Sequence, residues 1–265
     1  MKNLEVIEEK EIVAGNDDAL LGLLDDGSTG LEDIKSSDLK YGFLSIAALQ
    51  SKKAMATSTE HIPGLAPGLF WNTQNKFIYG NKVKVVVVSR FDSFKEMEPG
   101  ANGKFVRSVP NDEFEKLVAS KTIVQDKSSW IGLPNGNLIK ENKNFIVLIP
   151  DHLDHGFLRF TLSAGSFKHY RSWLTQMCSL KVGTKSAPIW GFGWELLVGM
   201  EEDKQGNPYF TIGSGGSTNV KNIGKITDLM KMDEVLATKE AFKKFEEEKY
   251  SIAATHVSND DDSTY

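Results

Sequence analysis

Five consecutive residues, Asp151-His152-Leu153-Asp154-His155, place four groups able to ligate a metal or exchange protons in one short stretch. The stretch resembles a metal site, but metal ligands of this kind usually need further contributions from elsewhere in the chain. The stretch follows Pro150 between two strand candidates, so it reads as a polar turn, and neither a metal nor a cofactor is expected. His61, His169 and His256 have no recognisable partners in the sequence. Nucleotide-binding signatures are missing: there is no GxxxxGK[ST], and no GxGxxG opens a helix after a strand. HExxH and the Gly-x-Ser-x-Gly elbow are missing too, and Cys178, the one cysteine, falls on the apolar stripe of its helix, where a buried thiol is the default. A non-enzymatic protein is expected, and a hydrolase built on residues 151–155 is the one catalytic reading left.

A different chemistry arises where cations alternate with rings. Arg90-Phe91-Asp92-Ser93-Phe94-Lys95 and Lys104-Phe105-Val106-Arg107 both mix guanidinium or ammonium groups with phenyl rings. Single-stranded nucleic acid asks for that mixture: cations follow the phosphates while exposed rings stack on the bases, at about 1–3 kcal/mol per base. Lys82 and Lys84 extend the first segment, and Lys168 and Arg171 make a second phosphate-contacting pair. Trp190, Phe192 and Trp194 recur at a period of two, opposite Gly191 and Gly193, and could form a stacking platform. The alternative for all these rings is the core, with cations reaching past them to water. Leu196 and Val198 continue the tryptophan face, which favours packing there.

These residues need elements to hold them. Residues 81–91 (NKVKVVVVSRF) are the best strand, and a period of two puts Val83, Val85 and Val87 on one face and Lys82, Lys84 and Arg90 on the other. Residues 103–109, 144–149, 156–163 and 190–200 are further strand candidates, and a turn at 203–208 leads into residues 209–213 as a hairpin. Residues 166–181 change period: Phe167, Tyr170, Trp173, Leu174, Met177 and Cys178 share a helical stripe, with Ser166 as N-cap. Residues 213–218 (GSGGST) read as a linker and 224–254 as one or two amphipathic helices. The expected fold is mainly β (α+β): an OB-like antiparallel barrel with an internal helix, C-terminal helices and disordered acidic ends. Four segments follow: an acidic, flexible arm (1–39), an OB-like body (40–223), a helical segment (224–254) and an acidic tail (255–265).

Charge is distributed unevenly across these segments. The whole chain carries −5, yet the body has 22 basic and 15 acidic side chains, while the arm has 3 basic and 11 acidic. A basic body between acidic ends suits a polyanion partner. The longest apolar run is far short of the roughly 20 residues that span a bilayer, and no signal peptide is evident, so a cytoplasmic protein without membrane contact is expected.

The end of the chain, Ser258-Asn259-Asp260-Asp261-Asp262-Ser263-Thr264-Tyr265, is polar and acidic and closes on an aromatic residue. There the chain resembles the single-stranded DNA-binding proteins of bacteriophages, in which an OB-type body is followed by a linker or helix and an acidic tail with a terminal aromatic. The resemblance implies that Asp260, Asp261, Asp262 and Tyr265 recruit replication or recombination enzymes and compete with DNA for the basic groove. The bacterial form of such a tail contains a proline that Ser263-Thr264-Tyr265 lacks. The expected function is sequence-tolerant binding of single-stranded DNA. The rival is a phage structural or assembly protein without nucleic-acid binding.

Overall fold

The computed structural model describes residues 41–100, 103–126, 129–203 and 206–247; the acidic arm and the acidic tail lie outside them. Its spine is a pair of long antiparallel strands, Lys82–Met97 and Leu138–Leu148. The β-branched run at the start of the first strand fills both sides of the sheet. Val83, Val85 and Val87 enter one core, and Val86 and Val88 enter another behind it. A strand buried on both faces reads as an unbroken apolar run, which is why this stretch looks stronger than simple alternation.

One expectation fails here. The register slips between Val87 and Ser89, so an extra residue is accommodated and the facing of every later side chain is reversed. Arg90 therefore leaves the side shared by Lys82 and Lys84 and turns to the Val83–Val87 side, where its guanidinium donates to the Tyr170 hydroxyl at 2.8 Å.

In chain order the strands are β1 (Gly42–Ile46), β2 (Phe70–Asn72), β3 (Ile78–Gly80), β4 (Lys82–Met97), β5 (Phe105–Val109), β6 (Val124–Asp126), β7 (Ser129–Ile131), β8 (Leu138–Leu148) and β9 (Leu158–Leu162). They continue with β10 (Lys181–Val182), β11 (Lys185–Ser186), β12 (Phe192–Leu197), β13 (Gly199–Glu202), β14 (Pro208–Thr211), β15 (Gly213–Ser214), β16 (Ser217–Thr218) and β17 (Val220–Lys225). The main sheet runs β17-β12-β4-β8-β9-β1-β2-β3. It is mainly β and curls into an open half-barrel, with one parallel pair, β1 beside β9. Because β4 and β8 are so long, each serves two neighbours on its outer edge. β12 pairs with the start of β4 and β5 with its end, while β9 and β7 divide β8 in the same way.

Among the described residues, three helices cover this sheet: α1 (Asn111–Ala119), α2 (Phe167–Ser179) and α3 (Met232–Glu247). Helix α2 sets Tyr170, Trp173 and Met177 against Phe145, Trp194 and the Val83–Val87 row. On the opposite side α3 sets Val235 and Phe245 against Val86, Val88 and Ile146. Helix α1, which the sequence reading did not identify, closes the far end by stacking Phe114 on Phe94 at 3.6 Å between ring centroids. Burying a large apolar side chain of this kind contributes about 1.5–3 kcal/mol.

Four further expectations are corrected. Residues 213–218 are no linker: β15 and β16 form a tight hairpin, turned by Gly215 and Gly216 with φ of 57° and 86°. Ser166 stands at the N-cap of α2, but its hydroxyl pairs with Thr211 Oγ1 at 2.7 Å instead of capping the helix. Cys178 is exposed, because the buried stripe of α2 runs through His169, Tyr170, Trp173 and Met177. Trp190 does not share a face with Phe192 and Trp194; a 3-10 turn over Ile189–Gly191 carries it to the α3 side. Among the described residues, no helix is long and apolar enough to cross a membrane.

Candidate nucleic-acid interface

The residues singled out for nucleic acid fall into three groups. The first is buried. Phe91, Phe94, Phe192 and Trp194 are core residues, and Trp194 meets Trp173 edge to face at 6.1 Å. Phe91 and Phe43 clasp the buried Arg159 guanidinium, 5.3 and 5.4 Å from their ring centres. Arg159 also donates to Asn144 Oδ1 at 3.0 Å and Ser93 Oγ at 3.2 Å, so a polar network lies inside this face of the sheet.

The second group consists of cations with partners inside the protein. Lys82 lies 3.8 Å from Glu195, Lys84 lies 3.1 Å from Asp151, and Arg90 is held by Tyr170. Arg107 is fixed most firmly, by Glu96 at 2.8 Å through Nε and by both oxygens of Glu113 through its two terminal nitrogens. Glu96 is almost fully buried and also accepts hydrogen bonds from Asn135 and Asn137. Burial alone would raise the Glu96 carboxyl, but those amides and Arg107 hold it below the usual carboxylate range. Arg107 thus ties β5 to the start of α1.

Lys168 belongs to a further cluster that sequence did not reveal. Its ammonium lies 2.6 Å from Glu201, which is buried and also accepts from the Tyr209 hydroxyl and the Gly216 N–H at 3.1 Å each. The fully buried His169 ring lies beside it, with Nε2 3.2 Å from Glu201 and Nδ1 3.1 Å from Thr218 Oγ1. Burial tends to raise the Glu201 carboxyl, but Lys168, the Gly216 N–H, His169 and Tyr209 outweigh it and lower its pKa to about 2. The cluster fastens α2 to the hairpins β13–β14 and β15–β16.

The third group comes together at one end of the sheet, with Lys95 and Lys140 half-buried and Lys104 and Phe105 exposed. Residues opposed in antiparallel strands share a face. Lys95 faces Lys140, Met97 faces Leu138 and Phe105, and Ser129 faces Lys140. Lys95, Phe105 and Lys140 therefore share one side of the far end of the sheet, opposite the side that α1 covers. Phe105 is 37% exposed, with the Lys95 ammonium 6.0 Å from its ring centre. Lys104 is exposed beside it, and Val124 and Ile131 extend the surface as exposed apolar side chains on β6 and β7. Lys140 was missed because only the β4–β8 register brings it opposite Lys95. Arg171 is exposed on α2, away from this set.

Fold and surface together define a mainly β protein whose long central strands are covered on both sides along most of their length and present a basic, partly aromatic face at one end. The chain belongs to the Pam3 phage gp34-like protein family, whose family model matches residues 13–247, and is thus a bacteriophage protein. No curated protein and no solved structure matches it.

Proposed function

We propose that the protein binds single-stranded DNA without strong sequence preference, through the exposed end of the β5-β4-β8-β7 face. One observation carries this reading: an exposed ring, Phe105, lies under an ammonium and beside further lysines on an accessible sheet surface. Lys95, Lys104 and Lys140 would follow the phosphates while Phe105 stacks on a base. The OB-like comparison is kept in this functional sense, as a curved β-sheet offering one face to an oligonucleotide. Protection of replication or recombination intermediates in the host cytoplasm, with enzymes recruited through Asp260–Asp262 and Tyr265, belongs to the same proposal.

The test is a titration of the chain with oligo-dT at two or more salt concentrations. Phe105→Ala should weaken binding by about 1–3 kcal/mol. Each of Lys95→Ala, Lys104→Ala and Lys140→Ala should flatten the salt dependence by about 0.7. Arg107→Ala, whose partners are internal, should act on stability first. Undiminished affinity in the four-residue variant would remove this face from the site, and an absence of binding at low salt would end the DNA reading.

The structural or assembly reading has one observation of its own. Val106, Val124 and Ile131 are 45%, 55% and 42% exposed around the same surface, as expected of a patch covered by another protein chain. Under that reading Ile131→Lys would disrupt assembly and leave DNA titrations flat.

A further inference from the structure

We infer that His152, Asp154 and His155 form a binding site for a divalent transition-metal ion of the zinc class, on the loop between β8 and β9. The site is independent of the DNA-binding proposal and uses none of its residues. Each of the three side chains offers one ligand atom, and these atoms lie within 4.8 Å of one another. Ligands of one tetrahedral zinc, each about 2.1 Å from the metal, are about 3.4 Å apart, so a rotamer adjustment closes the set.

The loop is built to bring them together. His152 N–H donates to Ile149, His155 N–H to His152, and Gly156 N–H to Leu153, which folds residues 152–155 into a tight turn ending at Gly156 with φ of 63°. The two imidazoles lie stacked, 4.9 Å apart and 4° from parallel, so their in-plane lone pairs do not yet converge and one ring must turn to bind the same ion. Phe77 packs against both, at 4.6 and 4.8 Å between ring centroids.

The neighbours sort ligands from supports. Asp151 is engaged by Lys84 and is no ligand. Tyr79 Oη lies 2.8 Å from His155 Nδ1, so Nδ1 is occupied and Nε2, 3.8 Å from Asp154 Oδ2, is the nitrogen left to ligate. A phenol oxygen that accepts the Nδ1–H of a ligating histidine fixes both tautomer and ring orientation. Two imidazoles and one carboxylate leave a fourth position for water or another donor, and the nitrogen-rich set favours zinc, cobalt or nickel over calcium or magnesium.

The test uses the full chain, freed of metal by a chelator and titrated calorimetrically with Zn2+, with visible absorption on adding Co2+ as a second readout. One Zn2+ per chain and a tetrahedral cobalt spectrum are expected, with a higher melting temperature in the loaded form. His155→Ala should abolish both signals. Asp154→Asn, whose side chain is 81% exposed and so leaves the fold intact, should weaken binding at least tenfold. His61→Ala should leave it unchanged. Tyr79→Phe should weaken it by about 10–100-fold. No saturable binding, or binding equally strong in Asp154→Asn and His155→Ala, overturns the site; unchanged affinity in Tyr79→Phe overturns the supporting role given to that residue.

Discussion

Glu201 shows how far a single side chain departs from its sequence context. In sequence it is one of three acidic residues before a turn; in the fold it is a buried anion with four polar neighbours. Its folded pKa, about 2, lies below the ordinary value of 4.5. A carboxyl depressed in this way stabilises the fold fully above about pH 4.5 and loses that contribution as pH falls toward 2. The shift corresponds to about 3 kcal/mol. Urea unfolding of the wild type should show this loss between pH 4.5 and 2. Glu201→Gln should already be destabilised by a similar amount at pH 7 and should show a shallower decline in acid. A parallel decline in both proteins would mean that the charge of Glu201 contributes little.

At the scale of elements, the α2–hairpin junction is a steric fit as well as an electrostatic one. The missing side chain of Gly213 leaves room for the His169 ring; a Cβ there would run into Cε1 and both ring nitrogens. Gly213→Ala should therefore cost about 1–3 kcal/mol, the usual penalty of overpacking. Ser214→Ala, at an exposed neighbour, should be close to neutral, and equal melting temperatures for the two variants would contradict the fit. This junction also marks the limit of what sequence discloses. The long strand, the α2 stripe and the hairpin after residue 203 are visible because each depends on local periodicity or turn chemistry. The reversal at Val88 is invisible, since a bulge depends on how β8 pairs with β4. The glycine-rich run at 213–218 looks like a linker for the same reason: its hairpin is defined by His169 and Glu201, which are distant in the chain. The DNA candidates divide likewise, because composition identifies basic–aromatic segments but only register separates the half-buried Lys95 and the exposed Lys104 and Phe105 from the buried Phe91 and Phe94.

Across the whole molecule the question is how a protein of net −5 would attract a polyanion. The body between residues 40 and 223 has a basic excess of seven, whereas residues 1–39 carry −8 and residues 255–265 carry −3. Because the acidic ends are attached to the basic body by the same chain, the proposed DNA binding carries the expectation that they compete with DNA for the body at high effective concentration. Replacing Asp260, Asp261 and Asp262 together by Asn preserves length and polarity and removes three charges. If the exposed β4–β5–β8 face binds DNA, this variant should bind oligo-dT more tightly than the wild type. The gain should be largest at low salt and should vanish once screening shortens the Debye length to about 3 Å near 1 M. Melting temperature is measured alongside, to separate a change in affinity from a change in stability. An affinity that is the same in both proteins at every salt concentration would show that the acidic end does not compete for the face. Tighter binding that persists at high salt would point instead to a loss of repulsion unrelated to screening, and the autoinhibitory reading of residues 260–262 would fail.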